Sequence, residues 1–82
     1  MNKIDEKINE IFKNAFKSHS DLSNITRDLN EWDSLKHMDL VMSLEKEFQI
    51  TFEVEEIIQI NNINDCIKII NSILIDKNRT SP

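Results

Sequence analysis

Apolar side chains recur at helical spacing in three parts of the chain, residues 3–17, 35–48 and 63–75. In each part they return every three or four positions, which is the period of an amphipathic helix, and no segment alternates as a convincing strand would. A shorter apolar segment at residues 54–60 has acidic residues at its start, which are favourable near the positive N-terminal end of a helix. The pattern therefore predicts an all-α fold, a small bundle of three principal helices plus one short helix.

The longest connection, residues 18–33, separates helices I and II and consists mainly of polar and turn-forming residues. Four apolar residues are scattered through it: Leu22, Ile25, Leu29 and Trp32. A connection of this length is uncommon in a compact domain unless it has structure of its own. We therefore expect this long loop to pack across the bundle, with Asp21 or Ser23 capping a short turn.

The chain of 82 residues is long enough for one domain with a limited core. We expect residues 1–76 to form that single domain and residues 77–82 to fray, because the tail has nothing to bury. At the start of the second helix, Asp33 provides a carboxylate that can accept from free backbone N–H groups as an N-cap. Asn62 or Asn64 is expected to cap the last helix in the same way.

The helix predicted at residues 35–48 has two apolar stripes when it is drawn at about 100° per residue. We interpret the wider stripe as the core face, and its members are His37, Leu40, Val41, Leu44 and Phe48. The narrower stripe consists of Leu35, Met38 and Met42 and is flanked by the acidic residues Asp39 and Glu45. A surface helix normally has one apolar face, so the second stripe predicts an exposed docking surface. The alternative is that Met38 and Met42 simply pack in the core.

The charge of the chain limits the classes of partner. Lysine and arginine number 10 and the acidic residues 15, which gives a formal net charge of −5. Such a charge argues against nucleic acid and anionic membranes and favours partners with basic patches. The N-terminal region carries charges throughout and contains no apolar run long enough for a signal peptide or a membrane span. Cys66 is the only cysteine, so no disulfide framework is expected and the cytoplasm is the natural compartment.

The other candidates for chemistry have plainer interpretations. Cys66 lies on the apolar stripe of the last helix and is interpreted as a small core residue. His37 is interpreted as a boundary residue with one side packed, because its position on the helix generally points away from a hydroxyl at the helix start. Trp32 is interpreted as a core residue, with shielding of the neighbouring Ser34 as the less favoured alternative. The two histidines and the cysteine lack metal-ligand spacing, so no metal is expected.

Ser34 is the most informative residue, because it lies between Asp33 and Leu35 at the start of the two-striped helix. The tripeptide Asp33-Ser34-Leu35, followed by the run from Met38 to Phe48, resembles the second helix of the acyl carrier proteins. The similarity continues through segments that resemble the third helix of that family and the loop opening its fourth: Phe52, Val54-Glu55-Glu56-Ile57 and Ile60-Asn61-Asn62-Ile63. The resemblance covers most of residues 33–70.

This resemblance implies a carrier function and not an enzyme. In the family, the serine of this motif carries 4′-phosphopantetheine through a phosphodiester, so Ser34 is the expected attachment residue, with Asp33 and Leu35 beside it. A phosphopantetheinyl transferase adds the arm, and the arm's thiol holds an acyl or aminoacyl group as a thioester for loading and transferring enzymes. We expect the carrier to be a monomer. The residues expected to dock partners are Leu35, Met38, Asp39, Met42, Glu45 and Glu47.

The sequence departs from the usual family pattern at several positions, and these differences bear on which partner enzymes the carrier binds. Glu31 and Trp32 precede Asp33 where fatty-acid-synthesis carriers usually have a glycine, and Lys36 and Lys46 occupy positions that are commonly acidic. These features are similar to free-standing carriers of specialised bacterial pathways. Two alternatives stay open: an aminoacyl or peptidyl carrier, and an unmodified helical interaction module that kept the fold. The apolar interior fits an acyl pocket and a tight core equally well.

Overall fold

The computed structural model describes residues 3–17 and 21–76. These residues form four α-helices and one 3₁₀ turn: α1 Lys3–Ala15, the turn Leu22–Asn24, α2 Ser34–Phe48, α3 Val54–Gln59 and α4 Ile63–Ile75. Within the described ranges no strand is present, and an isolated β-bridge joins Thr26 to Asn62. The predicted all-α bundle is confirmed, with helix ends close to those that the periodicity predicts. The predicted frayed tail, residues 77–82, lies outside the described residues.

Side-chain caps hold the starts of the 3₁₀ turn, α2 and α4. Asp33 Oδ1 accepts a hydrogen bond from Lys36 N at 2.8 Å, and Asn62 Oδ1 accepts from Asp65 N at 2.9 Å. Asp21 caps the 3₁₀ turn. Each bond satisfies a backbone donor that has no partner inside its own helix. The Asp33 cap is thus confirmed, and the two open choices resolve to Asn62 and Asp21.

The long loop contributes to the core, as predicted. The Trp32 ring lies 5.7 Å from the Phe12 ring and 5.3 Å from the Phe16 ring, centre to centre, and all three side chains are buried. The backbone of the loop is tied to the junction of α3 and α4, where Arg27 N donates to Asn61 O at 2.8 Å. The interpretation of Trp32 as a core residue is confirmed.

The two apolar stripes of α2 lie in opposite environments. The core-facing side chains Leu40, Val41 and Leu44 are at most 2% exposed, and Phe48 is half-buried. The other stripe is open to solvent, with exposed fractions of 73% for Leu35, 44% for Met38 and 62% for Met42. The predicted rotation of the helix is therefore confirmed, and the alternative that Met38 and Met42 pack in the core is wrong.

Helix α2 ends at a residue in the left-handed region. Gln49 has φ 53° and ψ 52°, and its backbone N–H donates to Glu45 O. The next residue, Ile50, donates to the same carbonyl at 3.1 Å. Glycine usually occupies this position because it lacks the Cβ that makes positive φ unfavourable, but the chain contains no glycine.

No helix in residues 3–17 and 21–76 combines the length and the apolar character needed to cross a membrane.

Candidate functional site

Ser34 is the first residue of α2 and is exposed to solvent. It follows Asp33, whose backbone is extended and whose carboxylate caps the helix, so the chain turns into α2 directly at the serine. The first turn of a helix carries backbone N–H groups without helical acceptors and the positive end of the helix dipole. An exposed hydroxyl at such a position is accessible to another enzyme and is a favourable place for an attached anion.

Buried contacts hold Trp32, which lies two residues before Ser34. The Trp32 ring packs in the aromatic cluster, and its backbone carbonyl accepts a hydrogen bond from Arg27 Nη1. The guanidinium of Arg27 also lies over the Trp32 ring, 5.7 Å from its centre. Ser34 itself is exposed, but both the backbone and the side chain of nearby Trp32 are held by contacts within the fold.

His37 is more deeply placed than the sequence suggests. Its side chain is 7% exposed. Nδ1 accepts a hydrogen bond from Trp32 Nε1 at 2.9 Å, and Nε2 donates to Ile57 O at 2.7 Å. The interpretation of His37 as a half-packed boundary residue is therefore wrong, because both ring nitrogens have partners inside the fold. Neither nitrogen faces the Ser34 hydroxyl as a base, which agrees with the expectation that His37 does not activate the serine.

Lys36 has an internal role that the sequence did not reveal. Its Nζ donates to Ala15 O at 2.7 Å and lies 5.5 Å from the centre of the Phe16 ring. A cation there satisfies a carbonyl at the C-terminal end of α1, where the helix dipole favours positive charge. Lys36 therefore joins α2 to α1. Among the signals available in the sequence, none pairs this lysine with a carbonyl 21 positions away.

The acidic residues predicted to dock partners differ in whether they also make contacts within the protein. Asp39 is exposed beside the apolar stripe. Glu45 accepts a hydrogen bond from Phe52 N at 2.9 Å through Oε2, so it also holds the loop before α3. Glu47 lies 3.9 Å from Lys7 Nζ, an ion pair between half-exposed side chains. Such a surface pair is worth about 0–1 kcal/mol.

Helix α3 adds exposed apolar side chains that the sequence reasoning missed. Val54 is 68% and Ile58 70% exposed, four positions apart on one side of the helix. Phe52 N, just before α3, donates a hydrogen bond to Glu45 near the end of α2, and Ile57 O, near the end of α3, accepts one from His37 near the start of α2. The helix therefore runs antiparallel to α2. The four-residue spacing of Val54 and Ile58 marked one side of this helix in the sequence. A pattern over so few residues does not show whether that side is buried or exposed.

Cys66 lies in the core, as predicted. Its side chain is fully buried. Burial raises the pKa of the Cys66 thiol to about 12, with a smaller contribution from the charge of Asp65. A thiol that stays protonated is a poor nucleophile and a poor metal ligand. Across residues 3–17 and 21–76, no group of three or more histidine, cysteine or acidic side chains is arranged to hold a metal ion.

Comparisons with known proteins agree with this arrangement. Residues 6–70 match the family model described as "Phosphopantetheine attachment site", a range that includes all of α2 and Ser34. The chain belongs to this family. It is 38% identical over 74 residues to the "Acyl carrier protein homolog" of Mycoplasma pneumoniae (strain ATCC 29342 / M129 / Subtype 1). The aligned residues make up 87% of this chain and 88% of that relative. No solved structure matches the chain.

The protein is thus a carrier protein of the acyl carrier family, with a domain for covalent phosphopantetheine attachment. Carriers of this family interact with modifying and acyl-handling enzymes. The residues around Ser34 fit an attached phosphodiester, because the hydroxyl is exposed and the first turn of α2 supplies backbone N–H groups and the positive end of the helix dipole.

Proposed function

We propose that this carrier holds acyl groups as thioesters on a 4′-phosphopantetheine arm attached to Ser34 and presents them to partner enzymes of a specialised bacterial pathway. The observation that carries the proposal is the exposed Ser34 at the N-terminus of α2, directly after the Asp33 cap and inside the segment that matches the family. When attached, the group supplies the thiol that bears the cargo. The residues of the chain present the serine, with Asp33 fixing the helix start and Leu35 following on the exposed side.

The chain itself needs no catalytic residue in this function. Both ring nitrogens of His37 are bonded inside the fold, and Cys66 is buried with a raised pKa. Attachment, loading and transfer are therefore assigned to separate enzymes: a phosphopantetheinyl transferase and enzymes that load and transfer acyl groups. The cytoplasm, where thiols stay reduced, is the compartment that suits a single-cysteine chain and a cargo-bearing thiol.

Partner enzymes are proposed to dock on the exposed stripe of Leu35, Met38 and Met42. The stripe begins next to Ser34 and runs along α2, so an enzyme that covers it brings its active site to the arm. Asp39 is exposed for pairing with basic residues, and Glu45 and Glu47 contribute charge despite their internal contacts. A small patch of mixed apolar and acidic character suits weak, fast exchange between partners.

Intact mass tests the attachment. The unmodified chain is treated with coenzyme A and a broad-specificity phosphopantetheinyl transferase, and we expect one phosphopantetheine per chain. Ser34→Ala should gain none and should keep the helical circular dichroism of the wild type. Ser43→Ala is the matched control, because Ser43 is also exposed on α2, and it should be modified like the wild type. Full modification of Ser34→Ala would overturn the proposal, and a wild type that is never modified would favour an unmodified interaction module.

The nature of the cargo needs a separate experiment. The similarity to a protein named "Acyl carrier protein homolog" favours an acyl group over an aminoacyl group. Carrier isolated from its own cells under conditions that preserve thioesters should show, by mass spectrometry of the released arm, a fatty or other simple acyl group. An amino acid on the arm would instead assign the protein to the aminoacyl or peptidyl carriers.

A further inference from the structure

Helix α3 has little packing of its own. It contains six residues, none of them fully buried, and of these Ile57 packs half-buried against the core. An isolated helix of this length is unstable in water, because the cost of the first turn is repaid only over many residues. The buried side chains nearest to it, Phe52 and Ile60, lie just outside its two ends. The position of α3 therefore depends on the single core contact of Ile57 and on the hydrogen bonds that hold its ends.

Two side chains of α2 make such contacts. At the start, Glu45 Oε2 accepts from Phe52 N at 2.9 Å. At the end, His37 Nε2 donates to Ile57 O at 2.7 Å. Ile57 O belongs to the last turn of α3, where carbonyls lack regular helical partners, although Ile60 N also reaches it at 3.4 Å. His37 thus acts as a C-terminal cap supplied from another helix.

The partners of His37 fix which ring nitrogen donates and which accepts. The indole N–H of Trp32 can only donate, so Nδ1 must accept, and Ile57 O can only accept, so Nε2 must carry the hydrogen. The ring therefore uses one donor and one acceptor on opposite sides. Through this ring the segment that precedes Ser34 is connected to α3.

We propose that His37 is a positioning residue for the transfer of phosphopantetheine to Ser34. This inference rests on the proposed attachment at Ser34 and adds how the fold prepares it. The side chains of Val54 and Ile58 are exposed on α3, so an enzyme can contact α3 while it reaches Ser34 at the start of α2. His37 sets the distance between these two parts, because it lies on α2 three residues after Ser34 and donates a hydrogen bond to Ile57 O of α3. Fixed geometry between a binding contact and a reacting group lowers the cost of reaching the productive complex.

Three variants separate the two hydrogen bonds of His37. His37→Phe keeps an aromatic ring of similar size and removes both bonds. His37→Gln retains a donor close to the position of Nε2, so the bond to Ile57 O is kept. His37→Asn retains an acceptor close to the position of Nδ1, so the bond from Trp32 is kept and the bond to α3 is lost.

Hydrogen exchange of the unmodified chain gives the first readout. In His37→Phe and His37→Asn we expect the amides of α3 to exchange about tenfold faster, which corresponds to the loss of one hydrogen bond, while α1 and α4 stay unchanged. His37→Gln should keep wild-type exchange in α3. Unchanged exchange of α3 in His37→Phe would overturn the proposed role.

Steady-state kinetics of the transferase give the second readout. With His37→Phe and His37→Asn, the KM for the carrier should rise about three- to tenfold and kcat should change less than twofold, because the productive complex and not the chemistry is affected. His37→Gln should restore most of the loss in KM. A fall in kcat at unchanged KM, or equal losses in all three variants, would contradict a positioning role.

Ile70→Val provides the control for global stability. Ile70 is fully buried on α4, outside α2 and α3, and its truncation weakens the whole fold. Below the unfolding temperature this variant should leave KM unchanged. If it raises KM as much as His37→Phe does, the effect of His37 is only structural and the inference fails. If the wild type accepts no phosphopantetheine, the proposed function fails and this positioning role with it, whereas faster exchange of α3 would still show that His37 holds that helix.

Discussion

Two lysines on α2 illustrate how the same residue type takes different roles within one helix. Lys36 bonds to the end of α1 and covers the Phe16 ring, whereas Lys46 is exposed near the other end of α2. A charge-assisted bond at a helix C-terminus is partly desolvated and contributes to folding. Lys46 lies in the last turn of α2, but it is exposed, so its interaction with the helix dipole is screened by solvent and contributes less.

Lys36→Met is therefore expected to lower the free energy of unfolding by about 1 kcal/mol. Lys46→Met should change it by less than about 0.5 kcal/mol, as for most surface substitutions. Urea denaturation at neutral pH measures both. Equal effects of the two substitutions would contradict the assignment of Lys36 as the cap of α1.

The left-handed conformation of Gln49 leads to a second residue-scale prediction. Gln49→Gly should raise the free energy of unfolding by about 0.5–1 kcal/mol, because glycine adopts φ 53° without the steric cost of a Cβ. Lys46→Gly is the matched control inside α2 and should lower stability by about 1 kcal/mol. If Gln49→Gly also destabilises the fold, this position does not hold the left-handed conformation in solution.

At the scale of the element, α2 combines a structural face with an exposed one. Leu44→Ala should cost about 2–4 kcal/mol, because it leaves a cavity at a fully buried position. Met42→Ala should cost less than about 1 kcal/mol, because the side chain is already 62% exposed in the folded protein. Chemical denaturation compares the two.

The same pair of variants separates folding from docking. Met42→Ala should raise the KM of the phosphopantetheinyl transferase for the carrier even though the fold is intact. A wild-type KM for Met42→Ala would place the docking surface elsewhere.

Helix α2 also shows what the sequence could and could not predict. Its limits, its Asp33 cap and its two stripes follow from periodicity and from local hydrogen-bonding chemistry, which act over a few residues. The acceptors of the hydrogen bonds that His37 and Lys36 donate are backbone carbonyls 20 and 21 positions away. Every residue has such a carbonyl, so no side-chain pattern marks these two, and the contacts exist only once the helices have packed.

At the scale of the whole molecule, the distribution of charge bears on the choice of partners. The net charge is −5, yet Lys46 is an exposed cation on the helix proposed to dock enzymes. A basic partner surface meets like charge there, which slows association. Since Lys36 is used inside the fold, Lys46 is the position at which to test this effect.

Lys46→Glu in the modified protein should improve its use by housekeeping fatty-acid enzymes, by about two- to fivefold in kcat/KM, since an exposed charge contributes at most about 1 kcal/mol. The gain should be larger at low salt, where screening is weakest. Lys46→Met serves as the control that removes the cation without adding an acid. If the wild type already supports fatty-acid elongation as well as an ordinary acyl carrier protein, the specialised-pathway proposal is wrong.

The core thiol makes the stability of the molecule depend on alkaline pH. The folded chain keeps the Cys66 proton until about pH 12, whereas an exposed thiol loses it near pH 9.0. Between these values the unfolded state binds fewer protons than the folded state, so the stability present below pH 9 is lost as the pH rises. From pH 9 to pH 10, Cys66 should account for a loss of about 1 kcal/mol.

The stability difference between the wild type and Cys66→Ala isolates this contribution from the titration of other groups. Urea denaturation at pH 7, 9 and 10 should show that the advantage of the wild type shrinks only at the upper end. A constant difference across this range would mean that Cys66 is not protected in the core.

The burial of Cys66 also matters for chemical fidelity. A thioester is attacked readily by any thiolate nearby, and a carrier with a reactive cysteine of its own would be open to transfer of cargo onto its polypeptide or to a mixed disulfide with its arm. Here the one cysteine of the chain is buried among apolar side chains and stays protonated at neutral pH. In the proposed function the polypeptide's own cysteine therefore does not compete with partner enzymes for the cargo, and a thiol reagent applied to the native modified protein reports on the arm.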